Sequence, residues 1–206
     1  MTWNRRRVLR AAGALAGVSA AGLLVGTARS YQAVGQDPTV HLDSPGHPTA
    51  GGDRGVAASR RISLLNLHTD EHLEIEYCRD GAYVPEAMSA IEVLLRDFRN
   101  GERHPMDAHL MDYLVEVAHT LGVDPSFSVI SGYRSPQTNA NLREHSTGVA
   151  QHSLHMEGRA IDVRMKGIDC ASLAAHAVDM KRGGVGYYRA SDFVHLDTGL
   201  FRTWKG

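Results

Sequence analysis

The sequence predicts an α+β fold, because helical and strand-like patterns fall into separate groups along the chain. Apolar residues recur at helical spacing mainly in the first half of the folded region, and short strand-like runs are most frequent in the second half. No internal repeat is visible, and a chain of 206 residues is expected to form one domain once any tail is removed.

The first half predicts a hairpin and two helices. Apolar residues alternate in 61–68 and again in 72–78, and the polar residues 69–71 between them indicate a turn. Two later segments carry apolar residues at positions i, i+3, i+4 and i+7, which predicts helices at 85–98 and 107–121.

The second half predicts short strands and two further helices. In chain order they are a strand at 127–131, a helix at 137–143, a strand at 160–165, a helix at 169–181, and strands at 185–188 and 193–196. Ser135 and Pro136 suit the start of the first of these helices, because serine caps a helix and proline fits its first turn. The pair Gly183-Gly184 ends the second helix.

The composition excludes several classes of protein. Hydrophobic residues make up 43% of the chain and charged residues 22%, which is ordinary for a soluble globular protein and unlike a wholly disordered or collagen-like chain. The formal net charge is −1, so we expect no nucleic-acid partner. Twelve histidines are present, and most of them are expected to lie on the surface.

Residues 1–29 are expected to be an export signal. They hold five arginines and no acidic residue, and an uncharged run of small and apolar residues follows at 11–28. The adjacent arginines resemble a twin-arginine signal, which predicts a periplasmic or otherwise extracytoplasmic protein. A retained membrane anchor is the alternative, because the 18 residues of the run are close to the shortest bilayer span.

The remaining chain divides into a linker and a domain. Residues 30–59 are rich in proline and glycine and are expected to be flexible, which leaves 60–206 as the folded domain. Cys78 and Cys170 are the only cysteines. An exported protein can keep a disulfide, but two cysteines far apart in sequence do not establish one.

Three residues in the domain have surroundings that are unusual for their type. Asp162 and His195 each lie between apolar residues in a predicted strand, and His155 precedes a predicted turn at Gly158. A buried aspartate is costly unless it is paired or bound to a cation. Two histidines and one carboxylate leave a fourth position open on zinc, as in catalytic zinc sites. A buried Asp–His pair without metal explains the same spacing equally well.

The motifs carry a family resemblance over residues 60–204. They are Leu-Asn-Leu-His-Thr at 65–69, Ser-Gly-Tyr-Arg-Ser at 131–135, Ser-x-His-x-x-Gly-x-Ala-x-Asp at 153–162, Gly-Gly-Val-Gly-Tyr-Tyr at 183–188 and Asp-Phe-Val-His-Leu-Asp-Thr-Gly at 192–199. This order resembles the zinc D-Ala-D-Ala carboxypeptidase group, which shares its fold with the hedgehog signalling domain, and within it the murein endopeptidase K type. The resemblance implies a small antiparallel sheet with helices packed on it.

The resemblance also assigns roles to individual residues. It implies one zinc ion per chain, held by His155, Asp162 and His195. Arg134 matches an arginine that holds or polarises the substrate, and Tyr133 beside it is expected to contact substrate as well. Ser153 and Asp197 are expected to support the ligands through hydrogen bonds.

The general base is expected at Asp192. Some relatives place an acidic residue three positions before the last ligand, and Asp192 occupies that position. His152 and Glu157 are weaker alternatives, and a turn-capping role is the competing interpretation of Asp192.

The implied function is that of an exported zinc peptidase that hydrolyses amide bonds in peptidoglycan stem peptides. The resemblance favours an endopeptidase that cuts cross-links, including those between two diaminopimelate residues. A D,D- or L,D-carboxypeptidase acting on stem peptides is the nearest alternative. A non-catalytic, zinc-containing domain that binds the cell wall is the alternative from another class. Membrane contact is expected only through an uncleaved N-terminal segment.

Overall fold

The computed structural model describes residues 59–145 and 149–206. The predicted export signal and all but the last residue of the predicted linker lie outside these ranges. None of the helices in the two ranges combines the length and the apolar character that crossing a bilayer requires.

The domain contains eight strands and four α-helices within the described residues. In chain order they are β1 (Ser59–Asn66), β2 (His72–Arg79), β3 (Ala82–Tyr83), α1 (Pro85–Leu94), α2 (Ala108–Thr120), β4 (Ser126–Ser131), α3 (Pro136–His145), β5 (Ala160–Met165), α4 (Cys170–Met180), β6 (Gly184–Tyr188), β7 (Phe193–Asp197) and β8 (Arg202–Lys205). A short 3₁₀ helix, Leu154–Glu157, precedes β5. Every predicted helix and strand is present, which confirms the mixed α and β character of the domain.

All eight strands form one sheet, in the order β3-β2-β1-β4-β5-β7-β6-β8. Five strand pairs are antiparallel, whereas β1–β4 and β6–β8 are parallel, so the sheet is larger and more mixed than the small antiparallel sheet we expected. The two additional strands, β3 and β8, are short and lie at the sheet edges. Neither has the run of alternating apolar residues by which a strand is recognised from sequence.

The two faces of the sheet differ in chemistry. Helices α1, α2 and α4 pack against one face, where buried side chains such as Ile161, Val163, Val194 and Leu196 form the core. Because successive strand residues point to opposite faces, the residues between them in β5 and β7 face away from this core. The second face therefore receives the polar side chains of these two strands.

Helix α1 ends four residues earlier than its apolar spacing predicts. Its last carbonyl, that of Leu94, accepts a hydrogen bond from the Asn66 side chain at 2.9 Å, and the Leu95 carbonyl accepts one from the Tyr133 amide at 2.8 Å. Buried Asp97 then accepts a hydrogen bond from the Ser135 amide at 2.9 Å. The carbonyls of Leu94 and Leu95 are therefore occupied by distant residues and do not accept the hydrogen bonds that would extend the helix.

The two cysteines do not form a disulfide. Cys78 lies in β2 and Cys170 starts α4, and both are buried free thiols.

Candidate active site

Two functional side chains come from neighbouring strands. Asp162 in β5 lies directly opposite His195 in β7 in the antiparallel pairing. Both residues belong to the sheet face that is not covered by the helices. The pairing places an Asp162 carboxylate oxygen, Oδ1, 2.9 Å from Nδ1 of His195.

The third side chain, that of His155, comes from the short 3₁₀ helix. This helix ends at Gly158, which has a φ of 66°. A Cβ atom at this position would lie 2.1 Å from the carbonyl oxygen of Pro105, so the turn requires glycine. The predicted turn is therefore confirmed, and it turns His155 towards the two strand residues.

The three donor atoms form a compact triangle. Nε2 of His155 lies 3.3 Å from Oδ1 of Asp162 and 3.2 Å from Nδ1 of His195, and the third side measures 2.9 Å. The three residues are between 2% and 8% exposed. Tetrahedral zinc with bonds of about 2.0–2.2 Å needs donors roughly 3.3–3.5 Å apart, so this triangle is close to the size that zinc requires.

Each histidine of the triangle also forms a hydrogen bond on the side of its ring that points away from the triangle. These bonds determine which nitrogen of each ring carries the proton. Nδ1 of His155 is 2.7 Å from the Gly132 carbonyl, and Nε2 of His195 is 3.0 Å from the Asp197 carboxylate. Both partners only accept hydrogen bonds, so these two nitrogens carry protons. In the neutral rings, the lone pairs of the other nitrogens then converge with Asp162 Oδ1 on one point. Three converging lone pairs repel one another unless a cation lies between them, so the residues fit a divalent metal ion.

Electrostatics favour a positive charge inside the triangle, which a metal ion or a proton between His195 and Asp162 can supply. Burial lowers the pKa of His155, which keeps its imidazole neutral. Burial would raise the pKa of Asp162, but His155 and His195 hold it well below its usual value. Burial also lowers the pKa of His195, but hydrogen bonds to Asp162 and Asp197 outweigh this effect and raise it to about 8. The site therefore attracts positive charge.

Asp197 is the most completely enclosed carboxylate near the site. It is 0% exposed and accepts hydrogen bonds from His195 and from the amides of Gly184 and Gly199. Burial would raise the pKa of Asp197, but these contacts and the Arg202 guanidinium hold it well below its usual value. Its hydrogen bond to His195 is the kind of support that the sequence predicted for it.

Arg134 lies above the triangle with part of its hydrogen-bonding capacity unused. Its guanidinium is 3.6 Å from Asp162 Oδ2 and 3.4 Å from the side-chain oxygen of Asn139. Its Nε is buried and has no hydrogen-bond partner in the described part of the chain. Burial lowers the pKa of Arg134, and the charge of Asp162 opposes that shift. A guanidinium with free donors at a cavity wall is suited to bind a carboxylate or a developing oxyanion.

The triangle opens into a cavity of about 450 Å³. This volume falls within the usual range of about 300–1,000 Å³ for ligand pockets. Besides the three donor residues, its wall is formed by eight polar or aromatic residues and three aliphatic ones: Arg134, His152, Ser153, Tyr188, Ser191, Phe193, Arg202 and Trp204, and Val149, Ala150 and Leu154. The site therefore has room for a peptide segment.

Sequence reasoning missed the aromatic part of this wall. Trp204 lies beside the His195 ring, with a centroid distance of 5.1 Å, and its indole N–H donates to the Tyr188 hydroxyl at 2.9 Å. Phe193 stacks on Tyr188 at 4.4 Å. Trp204 belongs to β8, and the alternating glycines of β6, Gly184 and Gly186, were the signal that a neighbouring strand packs closely there.

The structure does not bring Asp192 to the donor triangle. Ser191 and Phe193 on either side of it line the cavity, whereas Asp192 does not. Its side chain is 68% exposed and lies 3.8 Å from Arg164, and its φ of 52° places it in a turn. The geometry therefore favours the turn-capping interpretation of Asp192 over a role as base.

Two other predicted residues also lie outside the cavity wall. Tyr133 is 7% exposed and stacks on His104, because its neighbour Arg134 is the residue that faces the cavity. Glu157 is exposed and pairs with Arg159 at 3.3 Å. Neither side chain is placed to contact a peptide in the cavity.

The two remaining residues do lie at the cavity. His152 is exposed and lines the wall. Ser153 is buried and precedes the 3₁₀ helix, where its carbonyl accepts a hydrogen bond from the Met156 amide at 2.9 Å. Its hydroxyl makes no hydrogen bond to the three donor residues, so within the described structure Ser153 acts on His155 through the backbone of the turn.

Comparison with known proteins identifies the family of this chain. A family model described as "Peptidoglycan L,D-endopeptidase MepK" matches residues 54–204. The "Probable peptidoglycan L,D-endopeptidase MepK" of Haemophilus influenzae is 38% identical over 148 residues, which are 71% of this chain and 80% of that protein. The "Peptidoglycan L,D-endopeptidase MepK" of Escherichia coli is 39% identical over 145 residues, which are 70% of this chain and 80% of that protein. The chain belongs to the peptidoglycan L,D-endopeptidase MepK family of peptidases.

Proposed function

We propose that this protein is a zinc-dependent endopeptidase that cleaves L,D amide bonds in the peptide cross-links of peptidoglycan. The observation that carries the proposal is the triangle of donor atoms that His155, Asp162 and His195 form at the wall of a peptide-sized cavity. The names of the relatives, and their sequence identity to this chain, support peptidoglycan as the substrate and an L,D amide bond as the bond that is cleaved. We also propose that the domain has the fold shared by D-Ala-D-Ala carboxypeptidases and hedgehog domains.

The donor set favours zinc among the divalent ions. Two imidazole nitrogens and one carboxylate oxygen match the three protein ligands of catalytic zinc sites, with one position left for water or substrate. When bound, zinc supplies Lewis acidity and lowers the pKa of a coordinated water molecule. We propose one zinc ion per chain, with Asp197 and the Gly132 carbonyl orienting the two imidazoles through the hydrogen bonds described above.

The chain's own residues provide the remaining parts of a hydrolytic mechanism. Arg134 lies on the cavity wall, where its guanidinium binds the carboxylates of a stem peptide and the negative charge that develops on the cleaved carbonyl. His152 lies on the cavity wall, and we propose that it accepts the proton of the attacking water and passes it to the leaving amine. The aromatic wall of Tyr188, Phe193 and Trp204 excludes water from one side of the cavity.

Hydrolysis of purified sacculi tests this function. After treatment with the zinc-loaded protein, a muramidase digest of L,D-cross-linked peptidoglycan should contain fewer cross-linked dimers and more monomers, as measured by liquid chromatography and mass spectrometry. A chelator should stop the reaction and added zinc should restore it. Release of single terminal residues would identify a carboxypeptidase instead, and binding to sacculi without any release would identify a wall-binding domain.

Replacing Arg134 by lysine should slow turnover without releasing the metal. Lysine keeps the positive charge but lacks the planar, forked set of donors. Removing one donor to a developing oxyanion typically costs about 10²–10³-fold in kcat, and we expect a loss of that size. Zinc content, measured by mass spectrometry, should stay at the wild-type level. Arg61→Lys, at an exposed position of β1, is the matched control, and equal kcat values for the two variants would contradict the role of Arg134.

We propose that residues 1–29 export the protein by the twin-arginine route, that residues 30–59 are a flexible linker, and that the protein works outside the cytoplasm. In a strain that expresses the full chain, replacing both Arg5 and Arg6 by lysine should leave most of the precursor in the cytoplasm, because that route reads the arginine pair rather than the charge. Cell fractionation and immunoblotting measure the distribution. Normal export of the double variant would point to the general secretion route.

A further inference from the structure

Arg202 forms a forked ion pair with the carboxylate that supports His195. Its two terminal nitrogens lie 2.7 and 3.1 Å from the two oxygens of Asp197, and Asp197 in turn accepts the hydrogen bond of His195. An ion pair between two exposed groups contributes little to the stability of a protein, but in this pair Asp197 is 0% exposed. Removing a partner from a buried carboxylate is far more disruptive, because its charge is left without compensation.

The register of the sheet explains why Arg202 reaches Asp197. Arg202 in β8 pairs with Gly184 in β6, and Gly184 adjoins Asp197 in β7, so the three residues lie in one row across the sheet. A Cβ atom on Gly184 would lie 2.4 Å from an Asp197 oxygen and 2.6 Å from a terminal nitrogen of Arg202. The missing side chain of Gly184 is therefore what allows the pair to form above β6.

The neighbouring row has the same construction. Trp204 pairs with Gly186, and Gly186 pairs with His195. A Cβ atom on Gly186 would lie 2.4 Å from the indole ring of Trp204. Both glycines of β6 thus let side chains of β8 extend across the strand to the metal-binding row and its support. Strand β8 therefore forms the edge of the sheet and also supplies two side chains, Arg202 and Trp204, to the site.

We propose that Arg202 is a positioning residue that orients His195 for metal binding by holding Asp197 in place. The fork fixes both carboxylate oxygens, one of which keeps the proton of His195 on Nε2. Nδ1 of His195, which faces Asp162 and His155, then carries no proton and can bind a metal ion. The metal-binding part of this inference rests on the proposed zinc function, whereas the orientation of His195 does not.

The test compares Arg202→Gln and Arg202→Lys with Arg182→Gln. Arg182 is a matched control, because it also pairs with a carboxylate, that of Glu116, but has no contact with Asp197. Loss of a group that hydrogen-bonds a metal ligand typically weakens metal affinity about 10- to 100-fold, and Arg202→Gln, which acts through Asp197, should weaken it by up to that factor in a competition titration with a chromophoric chelator. Arg202→Lys restores the charge without the fork and should fall between Arg202→Gln and the wild type.

A second measurement reports on His195 directly. In proton NMR spectra, the imidazole N–H that binds Asp197 should exchange slowly with water in the wild type and in Arg182→Gln, and faster in Arg202→Gln. If the wild type binds no zinc, the proposed function fails, and this exchange rate still tests the orientation of His195.

Wild-type zinc affinity and N–H exchange in Arg202→Gln would overturn the proposal. If circular dichroism shows that Arg202→Gln does not fold, Arg202→Lys and Gly184→Ala decide the question. Both disturb the fork while keeping the charge of Arg202, and both should weaken zinc binding. Wild-type affinity in this pair of variants would also overturn the proposal.

Discussion

The variant His155→Ala is expected to be nearly free of zinc and to lose peptidoglycan hydrolysis. His155 contributes one of the three donors that the described residues supply, and its Nδ1 proton is held by the Gly132 carbonyl so that Nε2 faces the other two donors. Changing an outer partner of a metal ligand already costs about 10- to 100-fold in affinity, so loss of a donor atom should cost more than that. Metal analysis of the purified variant and a chelator titration measure the loss.

His119→Ala serves as the control for the His155 experiment. His119 is exposed on α2 and belongs to the opposite layer from the site, so its removal should change neither zinc content nor turnover. Full zinc occupancy in a folded His155→Ala protein would remove His155 from the ligand set. Hydrolysis by a zinc-free wild-type protein would reject the metal mechanism as a whole.

The second large effect is expected at the general base. His152→Gln should lower kcat by about 10²–10⁴-fold, which is the usual contribution of general base catalysis. Zinc content should not change, because His152 is not part of the donor triangle. Asp192→Asn should leave turnover close to the wild-type value, because Asp192 faces Arg164 and not the cavity.

Single-turnover kinetics on a defined L,D-cross-linked muropeptide distinguish the two residues, since they isolate the chemical step from binding and release. A large loss in Asp192→Asn together with wild-type turnover in His152→Gln would return the base to the position expected from the sequence. It would also require that the turn 189–192 rearranges when substrate binds.

Local patterns in the sequence predict the four helices and six of the eight strands of the described domain, and they single out the residues of the donor triangle as unusual. Helical and alternating apolar patterns depend on which face of an element is buried, and this information is local to each segment. Asp162 and His195 stood out for the same local reason, since each interrupts an apolar run in a strand. His155 stood out because it precedes the turn at Gly158, and the motif order added Arg134; the structure brings all four side chains to one cavity.

Which neighbouring residues belong to the site depends on long-range packing that the sequence pattern does not reveal. Asp192 and Tyr133 lie within motifs, but the turn at 189–192 and the packing of Tyr133 on His104 direct both side chains away from the cavity. Arg202 and Trp204 lie outside the predicted elements, but the parallel pairing of β8 with β6 brings them to the site. Strand register and the direction of a side chain after a turn depend on contacts between distant segments, and no local pattern of residues specifies them.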